Sequence, residues 1–525
     1  MKVKSKKEKV KNMRLILKNN LLLNSAIFAF LLSSFAFVIA NAQEQPPTPS
    51  APRSAKIPGV VEKKLPNDLT IATVERKNVP LVTVQLLVQS GAGNEDAAKA
   101  GLANLTASLL TKGTKTRSAS QIAEQLEFLG GSISSGAGWN NSVVTITVMS
   151  DKLDQAMAIL ADVVLNPKFD QKELDLLKSQ TLDGLAYNLK QPGFLANYVA
   201  SKYSFSEHPA GGTPETIKAI TSKDIADFKK SEYQAANSVL IFTGDITTVK
   251  AQALAAKYFG RWRFPATVIE KIATIEDDVQ NPPDIAPNTG AKQNEVPVVR
   301  RVLVVDLPDS GQASVNYTSM INAGRNDWDA KNNPISSKKF YPANVLNSVL
   351  GGGYSSRLNQ EIRIKRGLSY GAGSGFSWRS ETSNFSTRTQ TKNESAAEVA
   401  ELVLAELKRL GDSDVSAAEL APRKLVLTGD FGRDLETTVG LAGRVAELYS
   451  FNLPVNELNA FIPGVNAVTN SQIKEFASQN FKSGDLIIVG DYKIFKDDLA
   501  KRFPNMKIEV IKADELDLSK DTLRK

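Results

Sequence analysis

The sequence predicts an α+β protein built as two homologous units, each a mostly antiparallel sheet covered by helices on one side. Three observations carry this expectation. The same order of elements recurs in the two halves of the chain, the mark of an internal duplication. The strand segments alternate apolar and polar residues, as a sheet with one buried face requires. A Pro-rich stretch of little periodicity lies between the halves.

Residues 1–42 read as a signal peptide. "MKVKSKKEKVKNMRLILK" is basic, "SAIFAFLLSSFAFVIA" is apolar but short for a membrane span, and Ala40-Asn41-Ala42 supplies a small-x-small cleavage site. An uncleaved anchor is the alternative, and Met13 is a second candidate start. Export is therefore expected, to the periplasm if the source is a Gram-negative bacterium. Residues 43–58, "QEQPPTPSAPRSAKIP", form an extended Pro-rich tether.

The first unit is placed at 59–264, a linker at 265–300, the second unit at 301–510 and a charged tail at 511–525. Each unit opens with an alternating strand, "LVTVQLLVQSGAGNED" (81–96) or "ASVNYTSMINAGRNDWD" (313–329), that ends in a Gly-containing turn with acids. A small-residue helix follows, then a glycine-rich bend and a second strand, "NSVVTITVMS" (141–150) or "SNFSTRTQTK" (383–392). Amphipathic helices come next, at 151–167 and 396–411, with apolar residues at i, i+3 and i+4. Each unit closes on a strand ending in Gly-Asp, "NSVLIFTGDI" (237–246) or "GDLIIVGDY" (484–492), and one more helix.

Charge and composition remove several function classes. The net charge of +8 is misleading, because the leader holds eight Lys/Arg and one acid; the rest of the chain is near +1. That is no nucleic-acid footprint, which needs a sustained basic face. The chain has no Cys, so a lipid anchor on Cys, disulfides and Cys-ligated metal are excluded. It has one His, His208 in "FSEHPAGG", which reads as a surface-loop residue. The "GGG" at 351–353 lacks the G-K-[ST] ending of a phosphate loop.

The segment "AKAGLANLTASLLTKGTKT" raises the question of function. Gly101-Leu102-Ala103 enters an apolar helix and Lys112-Gly113-Thr114 leaves it, yet the face between them carries only Asn104, Ala107 and Ser108. A duplicated α+β unit with "GLA" and "KGT" framing a helix resembles the insulinase/pitrilysin-like zinc peptidases, from about Lys64 to Pro504. This family includes the mitochondrial processing peptidase and the core proteins of the bc1 complex. In its catalytic members the framed helix carries H-x-x-E-H, two zinc-binding His one turn apart with the general-base Glu between them. A Glu on a later helix completes the ligand set.

The resemblance implies what is missing here. Asn104 stands at the first His, Ala107 at the base, Ser108 at the second His, and Gly184 in "KSQTLDGLAYNLKQP" at the third ligand, with Asp183 beside it. No metal or other cofactor is expected in this chain, and whether it is an enzyme at all stays open. The resemblance also implies what is kept. "LGGGYSSRLNQEIRIKRGLSYGAGSGF" is similar to the family's substrate-closing segment, in which an Arg and a Tyr seven residues later reach across to the active site. Arg363 and Tyr370 have that spacing, and Gly351, Gly352 and Gly353 would allow the close turn beside them. The bend and strand "FLGGSISSGAGWNNSVVTITV" (128–148) is similar to the family's peptide-pairing edge.

The pattern is that of the non-catalytic chain of a heterodimeric zinc peptidase. A partner chain would hold Zn, base and water, and peptides or small proteins would be the substrate. The alternatives are a structural or assembly subunit resembling the bc1 core proteins, or a stand-alone peptide-binding module. No stable membrane span is expected once the leader is removed.

Overall fold

The structure, a computed structural model, describes residues 57–262 and 299–525. The expected signal peptide, the tether up to Lys56 and the expected linker from 265 to 298 lie outside the described residues. Val299 and Arg300, assigned to that linker, already belong to a strand.

In the first half, β1 (Val61–Lys64), β2 (Thr70–Glu75), β3 (Leu81–Val88), β4 (Ser132–Ala137), β5 (Ser142–Met149) and β6 (Ser238–Gly244) form one sheet in the order β1-β2-β6-β3-β5-β4. Its helices are α1 (Leu102–Leu110), α2 (Ala119–Phe128), α3 (Leu153–Leu165), α4 (Gln171–Asn188), α5 (Pro192–Phe205), α6 (Pro214–Ala219), α7 (Ser222–Glu232) and α8 (Thr248–Phe259).

In the second half, β7 (Val299–Asp306), β8 (Ala313–Ile321), β11 (Ala372–Ser377), β12 (Ser383–Thr391), β13 (Gly484–Gly490) and β14 (Ile508–Lys512) form a sheet in the order β11-β12-β8-β13-β7-β14. A separate hairpin joins β9 (Asn326–Trp328) and β10 (Pro334–Ser336). The helices are α9 (Phe340–Leu350), α10 (Ala396–Asp412), α11 (Ala417–Glu436), α12 (Thr438–Ser450), α13 (Glu457–Ala467), α14 (Asn470–Asn480) and α15 (Tyr492–Arg502).

Five strands of each sheet correspond one to one. The orders β2-β6-β3-β5-β4 and β7-β13-β8-β12-β11 are the same, and each contains one parallel pair, β2 with β6 and β7 with β13. The sixth strands differ. β1 joins β2 antiparallel from upstream, and β14 joins β7 parallel from downstream.

The expectation of helices on one side needs correction. On β7, Val302 and Val304 face one core while Leu303 and Val305 face another. All seven residues of β6 and of β13 are buried. Strands at a parallel pair, apolar on both faces, must be covered on both. Each half's own helices cover one face. The other face is covered by a helix from the opposite half.

Thus α5 leaves its own sheet and lies across β8, β13 and β12. Its Leu195, Tyr198 and Val199 join Leu303, Val305, Ile487 and Val489 in one cluster. In return α12 lies across β3 and β6, with Leu441, Val445 and Leu448 against Ala72, Val74, Leu87 and Ile241. Each fully buried aliphatic side chain contributes on the order of 2 kcal/mol. Pro192 fits the first turn of α5 because its fixed φ is helical and that turn needs no N–H. The hydroxyl of Thr437 caps α12 by accepting from the Gly440 N–H at 3.0 Å.

Polar contacts pin the exchange. Ser204 on α5 meets Thr318 on β8 at 2.8 Å, and Asn316 donates to Asn197 at 3.0 Å. Opposite them, Thr83 donates to the Thr438 hydroxyl at 2.8 Å and Thr243 donates to the Thr438 carbonyl at 2.7 Å. Residues 511–525, expected as a charged tail, fold back: Ile511, Leu518 and Leu523 are buried in the cluster that holds α5.

Candidate functional site

Helix α1 starts at Gly101, whose φ of +94° suits glycine. Its first N–H groups are satisfied by a carboxylate from outside the helix. Glu95 accepts from the Gly101 N–H at 2.7 Å and from the Ala103 N–H at 2.6 Å, the capping arrangement a helix N-terminus favours. The face singled out in the sequence is polar but metal-poor. Asn104 is half-buried and donates to the Ala210 carbonyl at 3.3 Å. Ala107 is fully buried and Ser108 half-buried. Gly184 lies on α4, which packs against α1, and a side chain there would meet open space. Among the described residues no group of three or more His, Asp or Glu is arranged to hold a metal ion.

His208 is not the surface-loop residue expected. Its side chain is only 12% exposed, and Nε2 lies 3.1 Å from the fully buried Glu95 carboxylate. Its ring packs on Trp139 at 5.1 Å between centroids, and the Arg379 guanidinium covers the Trp139 ring at 4.6 Å. Arg379 in turn forks onto Glu207 at 3.2 and 3.1 Å, and Asn384 donates to the same carboxylate at 3.0 Å. The loop therefore ties the N-terminus of α1 to β12 of the second sheet. The fold brings together residues far apart in sequence, so no local pattern marks His208.

The second half builds the other candidate cluster. Helix α9 ends at Gly351, which approaches edge strand β11 so closely that an added Cβ would collide with Ser374. The Gly351 carbonyl accepts from the Ser374 N–H at 3.2 Å. Gly352 is tight against α9 itself, whereas Gly353 has open space around it. None of the three has a positive φ. The need is close approach at Gly351 and Gly352, and no such need exists at Gly353.

The chain after the glycines is anchored from below. Arg423 on α11 bonds the carbonyl and, at 3.0 Å, the hydroxyl of Ser355. Arg357 forks onto Glu419 at 2.8 and 2.9 Å. Burial pushes the neighbouring Glu406 carboxyl up, against the pull of Arg409 and Arg357. On this base sits a short π-helical turn, Asn359–Ile364, of a kind frequent at functional sites. Asn359 donates to the Tyr354 carbonyl and accepts from the Ala372 N–H at 3.3 Å.

Arg363 and Tyr370 are brought together. The guanidinium lies 4.7 Å from the centre of the Tyr370 ring and 4.9 Å from that of Tyr354, both within cation–π range. Tyr354 is a residue that sequence reasoning missed, although it directly follows the glycines. Tyr370 is 90% exposed and Tyr354 65%. Among the described residues neither the Arg363 guanidinium nor the Tyr370 hydroxyl makes a hydrogen bond. Arg363 is half-buried on the π-helical turn, and Tyr370 is exposed on the segment that follows it.

The two sheet edges also differ. β11 has its outer edge partly covered by Gly351 and Asn359. The corresponding β4 pairs only with β5, and no described residue bonds its other edge.

Two family profiles match the chain. Insulinase (Peptidase family M16) covers residues 70–201, and Peptidase M16 inactive domain covers residues 219–425. A two-sheet α+β fold with helices exchanged across its halves is the class defined by the geometry. The chain belongs to the insulinase family of peptidases and, with Asn104, Ala107, Ser108 and Gly184 standing where ligands and base are expected, to its non-catalytic type.

Curated relatives include an uncharacterized zinc protease of Rickettsia bellii, 27% identical over 66% of this chain and 77% of that protein. Another, of Mycobacterium leprae, is 25% identical over 81% of this chain and 90% of its own length. Among solved structures, a peptidase M16 inactive domain from Pseudomonas fluorescens matches with a TM-score of 0.69 at 23% identity, covering 82% of this chain and 98% of that one. A protease from Helicobacter pylori matches at 0.71 and 21%, covering 82% and 100%. These two likenesses concern the fold.

Proposed function

We propose that this chain is an exported, non-catalytic subunit of a heterodimeric zinc peptidase acting on peptides or small proteins. One observation carries the reading. The chain's own helix α1 has bland residues at the family's zinc positions, while the half-buried Arg363 and the exposed Tyr370 lie against each other with no hydrogen bond or ion pair from either functional group among the described residues. The zinc named in its relatives, the general base and the attacking water would all come from the partner chain. The leader supports export, and the periplasm is the compartment if the source is Gram-negative.

In this complex the Tyr370 hydroxyl donates to the scissile carbonyl oxygen as negative charge develops there, the role of an oxyanion-hole donor. Arg363 holds a neighbouring carbonyl of the substrate through its fork of N–H groups. The free edge of β4 offers backbone groups for strand addition. The second reading, a structural subunit resembling the bc1 core proteins, would leave the Arg363–Tyr370 contact without a use.

The test is a complex isolated from the envelope fraction by tagging this chain. A companion carrying intact H-x-x-E-H and peptidase activity is expected. In that complex Tyr370→Phe should lower turnover by roughly 10²–10³, with little change in KM and none in assembly. A wild-type rate in a normally assembled Tyr370→Phe complex would favour the scaffold reading.

A further inference from the structure

Tyr370 opens onto a cleft of about 370 Å³ between the first turn of α5 and strands β8 and β12. Asn197, Gln312, Ser314 and Gln390 line it, and among the described residues Arg388 is the only charged one in the lining. Arg388 is exposed on β12, and its guanidinium makes no ion pair or hydrogen bond among the described residues. Arg357, Arg379 and Arg301, by contrast, are each paired with a carboxylate, so Arg388 shares with Arg363 a guanidinium that no carboxylate of the described residues neutralises. The guanidinium lies near Gly375 on edge strand β11.

We infer that this cleft is a carboxylate subsite, with Arg388 the residue that selects peptides carrying an acidic group beside the bond presented to Tyr370. The inference rests on the proposed function in one respect: it takes peptide to lie in front of Tyr370. A guanidinium offers two parallel N–H donors matched to a carboxylate, and such charge-assisted pairs are about twice as strong as neutral hydrogen bonds. The side-chain amides of Gln312 and Gln390 can serve the remaining lone pairs, whereas the Ser314 and Ser369 hydroxyls already donate to Asn316 and Gly371; no acidic residue lines the cleft among the described residues. The carboxylate is either an Asp or Glu side chain or the free C-terminus of the peptide.

The experiment is equilibrium binding of fluorescein-labelled ten-residue peptides to the full chain, read by anisotropy at low salt. One peptide carries an internal Asp and an amidated C-terminus, a second is neutral with a free C-terminus, and a third is neutral and amidated. At least one of the first two should bind about tenfold more tightly than the third, as expected for a hydrogen bond to a charged group. Whichever does so identifies the source of the carboxylate.

Arg388→Gln should erase the preference, and Arg388→Glu should move it to a peptide carrying Lys. Equal affinities, a preference that survives Arg388→Gln, or no detectable binding would overturn the inference. The Tyr370 hydroxyl is not needed for this affinity. Equal affinities in the unaltered chain and a Tyr370→Phe complex of wild-type rate are therefore separate outcomes, the first sinking the subsite and the second the catalytic role.

Discussion

At the scale of single residues, the proposed function turns on Asn104, Ala107, Ser108 and Gly184 in the first half. The chain alone is expected to hold far less than one zinc and to cleave no peptide. Asn104→His, Ala107→Glu, Ser108→His and Gly184→Glu together should recover weak zinc binding without the activity of a natural zinc chain. Gly184 has room for a longer side chain, but Ala107 is fully buried, and a carboxylate there loses its hydration. Metal analysis and peptidase assay check this, and tight stoichiometric zinc in the unaltered chain would defeat it. The Arg363–Tyr370 pair was legible from its spacing inside a recognisable segment. Tyr354 was not, because its contact with Arg363 depends on how the π-helical turn winds. His208 was misread for a similar reason, since its partner Glu95 lies 113 positions away.

Among elements, the junction of α9, the glycine turn and β11 separates residues that look alike in sequence. Gly351→Ala should destabilise the protein by about 1–3 kcal/mol, the usual effect of forcing atoms into a packed site, because the new Cβ would strike Ser374. Gly353→Ala should leave the melting temperature within error. Thermal unfolding of the two variants is the check, and equal effects would mean that the turn is not held as described. The order of strands and helices was legible from periodicity. The covering of both sheet faces was not inferred, although "VLIFTG" in β6 and "DLIIVG" in β13 are continuous apolar runs of the kind found in strands buried on both sides. What such runs cannot say is which helix does the covering.

For the whole molecule, the exchange of α5 and α12 joins the two halves, and Asp485 fastens one side of it. Its carboxylate is fully buried and receives Arg300 at 3.0 and 2.7 Å and Arg301 at 3.1 and 2.6 Å. Arg301 also covers the Tyr203 ring of α5 at 3.9 Å and donates to its carbonyl. Burial pushes the Asp485 carboxyl up, but the two guanidinium groups outweigh it and hold the group below its ordinary value. The stabilisation is therefore present above the unfolded carboxyl value of about 3.9 and is lost as pH falls through the lower folded value. Asp485→Asn should cost about 3 kcal/mol at neutral pH, the low end for breaking a buried pair, since both Arg side chains are about one-third exposed. The difference from wild type should shrink in strong acid. Denaturant unfolding at pH 7 and pH 3 reads both, and a difference that is constant across that range would be incompatible with the ion-pair account.

The exchange also sets a timetable for the chain's birth. Thr83 waits for Thr438, 355 positions later, and the face of the first sheet around Ala72, Val74, Leu87 and Ile241 stays bare until α12 has left the ribosome. At 5–20 residues per second, that interval is roughly ten to forty seconds after β6 is made. Exposed apolar sheet of this kind invites pairing with other nascent chains, so a holding factor should accompany synthesis. Ribosome-bound chains stopped before Thr438 should bind more of an apolar dye than chains held by an extension past Lys525, in which α12 and β13 are both free to fold, and equal dye binding would place the closing of that face elsewhere.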